Sequence, residues 1–268
     1  VMLQFFLSSW RAGFRSRSFL AVFLLGIALV GVAYLSASFS PRQPSTVALD
    51  VGLSGFRFCL VLFAITLVQD LVSREVERRS VVLTLSYPVH RASYLLGRYF
   101  GVLALTGVGA AILGLLLWIA VLFAGRHYEQ QFPVALGFPY LMTIIGVWLD
   151  VAVVAAFTLC LATFSTVSML PLALGALFAI AGRALGPVAD FVMRGADGQV
   201  ELAASYGPVL SLIRWLLPDL SRLDWRVWPM YAQVPDVGAM WLSAVMALVY
   251  VGLMLALSVQ AFSRREFS

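Results

Sequence analysis

An all-α integral membrane protein is the fold class this sequence predicts, and three observations carry the prediction. Residues 130–182 hold a single charged side chain, Asp150, and the runs Phe19 to Phe39, Tyr99 to Gly125 and Val237 to Ser263 hold none. Each run reaches the roughly 20 residues that cross about 30 Å of hydrocarbon as a helix. The composition, 62% hydrophobic and 12% charged, with a mean hydropathy of +0.95, lies well outside the range of water-soluble domains. Six spans in one membrane domain over residues 1–268 are therefore expected.

At the start, Phe6, Trp10 and Phe14 recur every four residues beside Arg11 and Arg15. Residues 1–18 thus read as a short amphipathic helix at the membrane interface. The first span, 19–39, is longer than the 7–15-residue apolar core of a secretory signal and is read as retained. A second span is expected over 53–72, with an apolar centre from Phe58 to Val68 and with Arg57 and Asp70 near enough to its ends to snorkel. Spans three to five are placed at 93–125, 139–164 and 167–186. Ser93 and the basic pair Arg91 and Arg98 mark the start of the third, while Ser165, Thr166, Val167 and Ser168 before Pro171 make the reversal between the fourth and fifth. Residues 187–236 are near-neutral, broken by proline and rich in interfacial aromatics such as Trp215, Trp225, Trp228 and Tyr231, which suits a cap on the membrane surface. Within it, Pro208 to Leu217 has the length of a re-entrant or interfacial helix. The last span is 237–263. The small-residue pairs Gly97/Gly101 and Gly182/Gly186 permit close packing.

Six spans put both termini on one side. Arginine is densest in the N-terminal segment, the second-to-third connection and the tail, so the positive-inside rule makes the termini cytoplasmic. The surrounding partner expected is the lipid bilayer rather than nucleic acid.

All 18 basic residues are arginine. Without lysine the chain has no Walker A lysine for nucleotide phosphates and no Schiff-base amine. Cys59 and Cys160 lie in apolar runs far apart in sequence, and His90 and His127 lie in connections; neither HExxH nor GxSxG occurs. No catalytic residue, metal site or cofactor is assigned to this chain.

The informative polar segment runs from Asp70 to Arg98. At helical spacing Asp70, Arg74, Glu77 and Arg78 share one face and Val72, Val76 and Leu83 another, which describes a helix over about 73–87 lying under the membrane. Pro88 ends it. The succession Glu75, Glu77, Ser80, Leu85, Tyr87, Pro88, Arg91 and then Leu95 to Arg98 resembles the permease subunits of ATP-binding-cassette exporters of the second type. It is most similar to the branch that includes the permease of the nitrous-oxide-reductase copper-maturation transporter. The resemblance implies a transport subunit rather than an enzyme, with ATP and Mg bound by a separate ATPase present in two copies. It also implies a second permease chain, identical or related, enclosing the pathway. In that scheme Arg74, Glu75, Glu77, Arg78, Arg79, Pro88 and Arg91 belong to a coupling helix seated on the ATPase. The Leu216 to Leu220 run resembles a feature that closes the external mouth in this family, which marks Trp215, Pro218 and Asp219 as gate residues.

Asp150 has two placements. If its helix starts near Pro139, it sits about 16 Å deep, a polar point on a pathway or a partner for an arginine such as Arg57. If the helix starts near Gly146, it sits at the external interface. An ion-gradient-driven secondary transporter is the rival reading; such proteins usually bury several ionisable groups and show internal repeats.

Overall fold

The computed structural model describes residues 2–40, 42–77, 91–124, 133–165, 167, 169–193, 213 and 217–264. Among them there is no strand, and six helices are long and apolar enough to cross a membrane. The elements are α1 (Met2–Phe14), α2 (Arg17–Ser38), α3 (Pro44–Val68), a π-helical turn (Gln69–Ser73), α4 (Arg74–Glu77), α5 (Arg91–Ala124), α6 (Phe138–Phe164) and α7 (Met169–Met193). A 3-10 turn (Leu220–Leu223), α8 (Val227–Tyr231) and α9 (Val237–Arg264) complete the chain. Successive spans run in opposite directions, so one end of the bundle carries α1 and the other carries the 217–236 segment.

Helix starts and stops follow local chemistry. Ser16 caps α2, its hydroxyl accepting from the Phe19 N–H at 3.0 Å. Proline occupies the first turn of both α3 and α6, where its missing N–H costs no helical bond. The helix breaks after Phe164, where Ser165 turns extended and its hydroxyl accepts from the Val167 N–H at 3.1 Å. The break falls in the stretch read as a reversal.

Two span boundaries differ from the sequence reading. The second span begins at Pro44 rather than residue 53 and continues to Ser73. The hydropathy signal begins late because Asp50 interrupts it, yet the Asp50 side chain finds a charged partner in Arg226. The fifth helix runs through Pro187 to Met193 rather than ending near 186.

Spans α3 and α6 form the buried centre, with two-thirds of their most apolar windows enclosed, whereas α2 and α9 keep most of theirs at the periphery. Peripheral leucines such as Leu24, Leu242 and Leu248 are 60% exposed or more, a surface suited to lipid rather than water. Aromatic stacking joins α6 to α7, with Phe157 and Phe178 centroids 3.9 Å apart. Side-chain bonds to backbone carbonyls tie α5 to α6: Tyr140 donates to Gly114 at 2.6 Å, Tyr99 to Ala152 at 3.1 Å and Trp148 to Leu103 at 3.2 Å. Helix α1 leans on α5 through its small residues. Ser9 and Gly13 are buried there, and Gly97 and Gly101 of α5 face its backbone and side chains so closely that a Cβ at either would collide. The Phe6, Trp10 and Phe14 rings form a ladder along α1, half-buried at Phe6 and Trp10 and exposed at Phe14, with ring centroids 6.2 and 5.0 Å apart.

Candidate functional site: an ionic relay across the far half of the bundle

Six charged residues from distant parts of the chain form one relay. On α6, Asp150 lies near the middle of the helix and is fully buried. Its Oδ2 accepts from Arg183 of α7 and lies 3.6 Å from Nε of Arg57 on α3. Arg57, 4% exposed, donates through Nη1 to Asp224 in the far-end segment. Asp224 accepts from Nε of Arg226 at 2.9 Å through both oxygens, and Arg226 reaches back to α3, donating to Asp50 and Ser54 at 3.0 Å each. Positive and negative groups alternate along the whole line, three of each. An isolated charge at a span centre costs about 2.5–3.5 kcal/mol on insertion scales, so a neutral, hydrogen-bonded line is the arrangement that lets these spans keep their ions.

The turn that delivers Asp224 is seated on glycines. A Cβ on Gly146 would press on the Leu223 carbonyl and the Trp225 ring. One on Gly182 would meet Leu220, and one on Gly186 would collide with Ser221 and Asp219. The Gly182/Gly186 pair thus receives a re-entrant turn rather than another helix. Asp219 caps that turn, its carboxylate accepting from the Ser221 N–H at 3.2 Å and from the Ser221 hydroxyl at 2.6 Å, and Pro218 is buried beside it. The Thr143 hydroxyl of α6 donates to the Trp225 carbonyl at 3.2 Å. Burial alone would raise the Asp224 pKa, but the hydrogen bonds from Arg226 and Arg57 outweigh it and hold the carboxyl at about 2. Burial works against the charge of Arg226 as well, and its bonds to Asp224 and Asp50 raise its pKa in spite of that.

At the other end, the π turn carries α3 into α4. It places Asp70 against the Ser18 hydroxyl at 2.6 Å and against Arg74 at 2.9 Å. Glu75 turns inward: it pairs with Arg98 at 2.5 Å and accepts from the Tyr94 hydroxyl at 2.6 Å. Arg98 in turn donates to Ser9 of α1 at 3.2 Å and lies over the Tyr94 ring.

The structure changes one sequence expectation, decides between the two placements of Asp150 and gives Arg98 an internal partner. Arg57 does not snorkel from a span end; α3 starts well before it, at Pro44, and it is buried among acids. Asp150 is inside the span, because α6 starts at Phe138 and not near Gly146. Arg98, read as marking the start of the third span, is an internal ion-pair partner of Glu75. No local pattern marks Arg183, Asp224, Arg226 or Asp50, since charges near span ends and in connections look unremarkable until the fold brings them together. Of the other site residues, Arg74 is half-exposed beside Asp70. Arg78, Arg79, Pro88, Trp215, the Pro208 to Leu217 segment other than Ile213 and Leu217, and both histidines lie outside the described residues, as do the side chains of Glu77 and Arg91. Cys59 and Cys160 are buried free thiols. Among the described residues no group of three or more His, Cys, Asp or Glu is placed to hold a metal.

A buried, charge-balanced seam between membrane helices fits a transport protein, and comparison with known families decides which kind. The family model for ABC-2 family transporter proteins matches residues 7–267. The chain belongs to the ABC-2 transporter family. Curated relatives include a probable ABC transporter permease protein NosY of Stutzerimonas stutzeri, 33% identical over 152 residues, or 52% of each chain. Another is the protein of the same name from Pseudomonas aeruginosa, 35% identical over 116 residues, covering 39% of this chain and 42% of the relative. The chain spans about half the length, or less, of the curated relatives it matches. Within this ABC-2 transporter, the sequence resemblance and the six helices agree: it is a multi-pass membrane transport component.

Proposed function

We propose that this chain is the permease half of an ABC exporter, forming the translocation pathway with a second permease chain and driven by two copies of a separate ATPase subunit that bind ATP and Mg. The observation that carries this reading is the mechanical continuity of α3. The span runs 30 residues from Pro44 to Ser73, about 45 Å, and passes through the π turn into α4 without a break in helical backbone. Its end is clamped by Glu75 to Arg98 and Tyr94 on α5. A push on the segment beginning at Arg74 is thereby delivered to two spans at once, which a loose connection would absorb. In this reading the α1 end faces the cytoplasm of a prokaryotic inner membrane, and the ATPase grips Arg74, Glu77, Arg78 and Arg79, with Pro88 and Arg91 closing the segment. Glu75 serves as the strut that holds the grip to the bundle.

At the opposite end, the turn carrying Pro218 and Asp219 is the external gate, with Trp215 preceding it. The Arg57–Asp150 pair on α3 and α6 lies along the pathway beneath it. ATP binding draws the two coupling segments together and shifts the population between inward-open and outward-open states.

Charge reversal at Glu77, Arg78 and Arg79 tests the reading. It should release the ATPase subunit on co-purification and stop ATP-dependent transport in vesicles, while the melting temperature of the permease alone stays within a few degrees. Full co-purification and transport in that variant would overturn it.

A further inference from the structure

We propose that the slot now filled by the Pro218–Trp225 turn is a binding site for an anionic group, and that Asp224 occupies it in this conformation as an internal stand-in. The inference rests on the gate reading above, in which this turn leaves its seat during the cycle.

The slot is built, not incidental. Its walls are the glycine positions 146, 182 and 186 on α6 and α7, all without side chains where the turn lies. At its base are two guanidinium groups, Arg57 and Arg183, against a single carboxylate, Asp150. Asp224 is the member of the inner relay that comes from a connection rather than a span, so it is the group that departs with the turn. When it leaves, the base holds two positive charges and one negative. Asp50, which loses Arg226 at the same time, stands seven residues along α3 from Arg57, about 10 Å away, and is half-exposed at the rim.

The base also keeps unused bonding capacity. Nε of Arg57, Nε of Arg183 and Oδ1 of Asp150 are buried without a hydrogen-bond partner among the described residues. Two guanidinium groups beside a removable carboxylate, each with an Nε–H that makes no hydrogen bond, are the donor set that recognises a carboxylate or phosphate. Arg183 is 29% exposed, so the base already opens on one side. An anion entering as the turn withdraws would restore neutrality at the depth where an uncompensated arginine is costly.

The test is equilibrium binding to the full chain in phosphatidylcholine nanodiscs, without ATPase. Three probes are used: acetate, decanoate and decanol. Asp224→Asn keeps the shape of the side chain and removes its charge. It should bind acetate or decanoate about tenfold more tightly than the unaltered chain, one charge-assisted contact's worth, with decanol unchanged. Asp224→Asn/Arg226→Gln, which removes one charge of each sign and leaves the base arginines in place, serves as a second background if the single variant is poorly folded, and the same gain is expected there. The gain should vanish in Asp224→Asn/Arg57→Gln. A gain for acetate identifies a water-borne anion, and a gain for decanoate alone a membrane-borne anionic amphiphile. No gain for either anion, or an equal gain for decanol, overturns the proposal. Because no nucleotide or transport step enters the measurement, that failure would leave the ATPase-coupled reading standing.

Discussion

The two ends of this bundle use charge differently. At the far end, Asp50, Arg57, Asp150, Arg183, Asp224 and Arg226 form one alternating line through α3, α6, α7 and the turn. At the α1 end the pairs are separate, Asp70 with Arg74 and Glu75 with Arg98, and neither contains a fully buried ion such as Asp150; Glu75 is 30% and Arg74 51% exposed. A deep line must be neutral as a whole, since removing one member strands its neighbours. Shallow pairs fail one at a time, because water screens what is left. Under the proposed function, the difference separates a part that holds a closed shape from a part that the ATPase grips and moves.

The largest effect should come from breaking the deep line at its hub. Arg57→Leu leaves Asp150 and Asp224 short of a shared cation and is expected to destabilise the chain by about 3–5 kcal/mol, read as a fall in unfolding temperature in detergent or nanodiscs. Arg57→Leu/Asp224→Asn, which restores neutrality, should recover a large part of that loss; equal loss in the single and double variants would show that the line does not act as a unit. Next in size, Gly186→Val should push Ser221 and Asp219 off their seat at a cost of about 1–3 kcal/mol, with protease cutting within 217–236 accelerated while the spans remain intact. At the α1 end, Glu75→Gln should cost about 1–2 kcal/mol, and the swap Glu75→Arg/Arg98→Glu should regain part of it, measured by thermal unfolding. If Glu75→Gln costs as much as Arg57→Leu, the contrast between the two ends is wrong.

The smallest effect concerns pH. Asp224 has a folded pKa of about 2 against an ordinary value of 3.8. A depressed carboxyl pKa gives stability that is present above the ordinary value and lost as pH falls through the folded one. Protection of the 217–236 segment should therefore be flat from about pH 5 to 8 and decline only as pH drops below about 4 toward 2. Asp224→Asn should remove that group's share of the decline. A midpoint near neutral pH would contradict the relay.

Several features are legible in the residues themselves. The apolar runs locate the spans, the Ser165 to Ser168 stretch marks a reversal, and the segment after Asp70 carries the family resemblance. Asp150 draws attention because a carboxylate amid 53 residues otherwise free of charge demands a partner. Arg57 can be named as a candidate for that partner, but the reach of the line cannot. Arg183 sits at the edge of an apolar run, and Asp224 and Arg226 lie in a connection, where charges are ordinary. The inward turn of Glu75 is hidden for a geometric reason. A π turn takes up one more residue than an α turn, which shifts the phase of the helix beyond it by about 100°, so a uniform helical wheel does not give the face on which Glu75 lies.

The order of residues settles the solvent: long uncharged stretches are stable only in hydrocarbon, and their number and spacing answer to the thickness of a bilayer. Which ions meet is settled by the fold. Pairing in a low-dielectric interior depends on depth and on which helix faces oppose each other, across separations as wide as the 176 positions from Asp50 to Arg226, and no local pattern of residues encodes that distance.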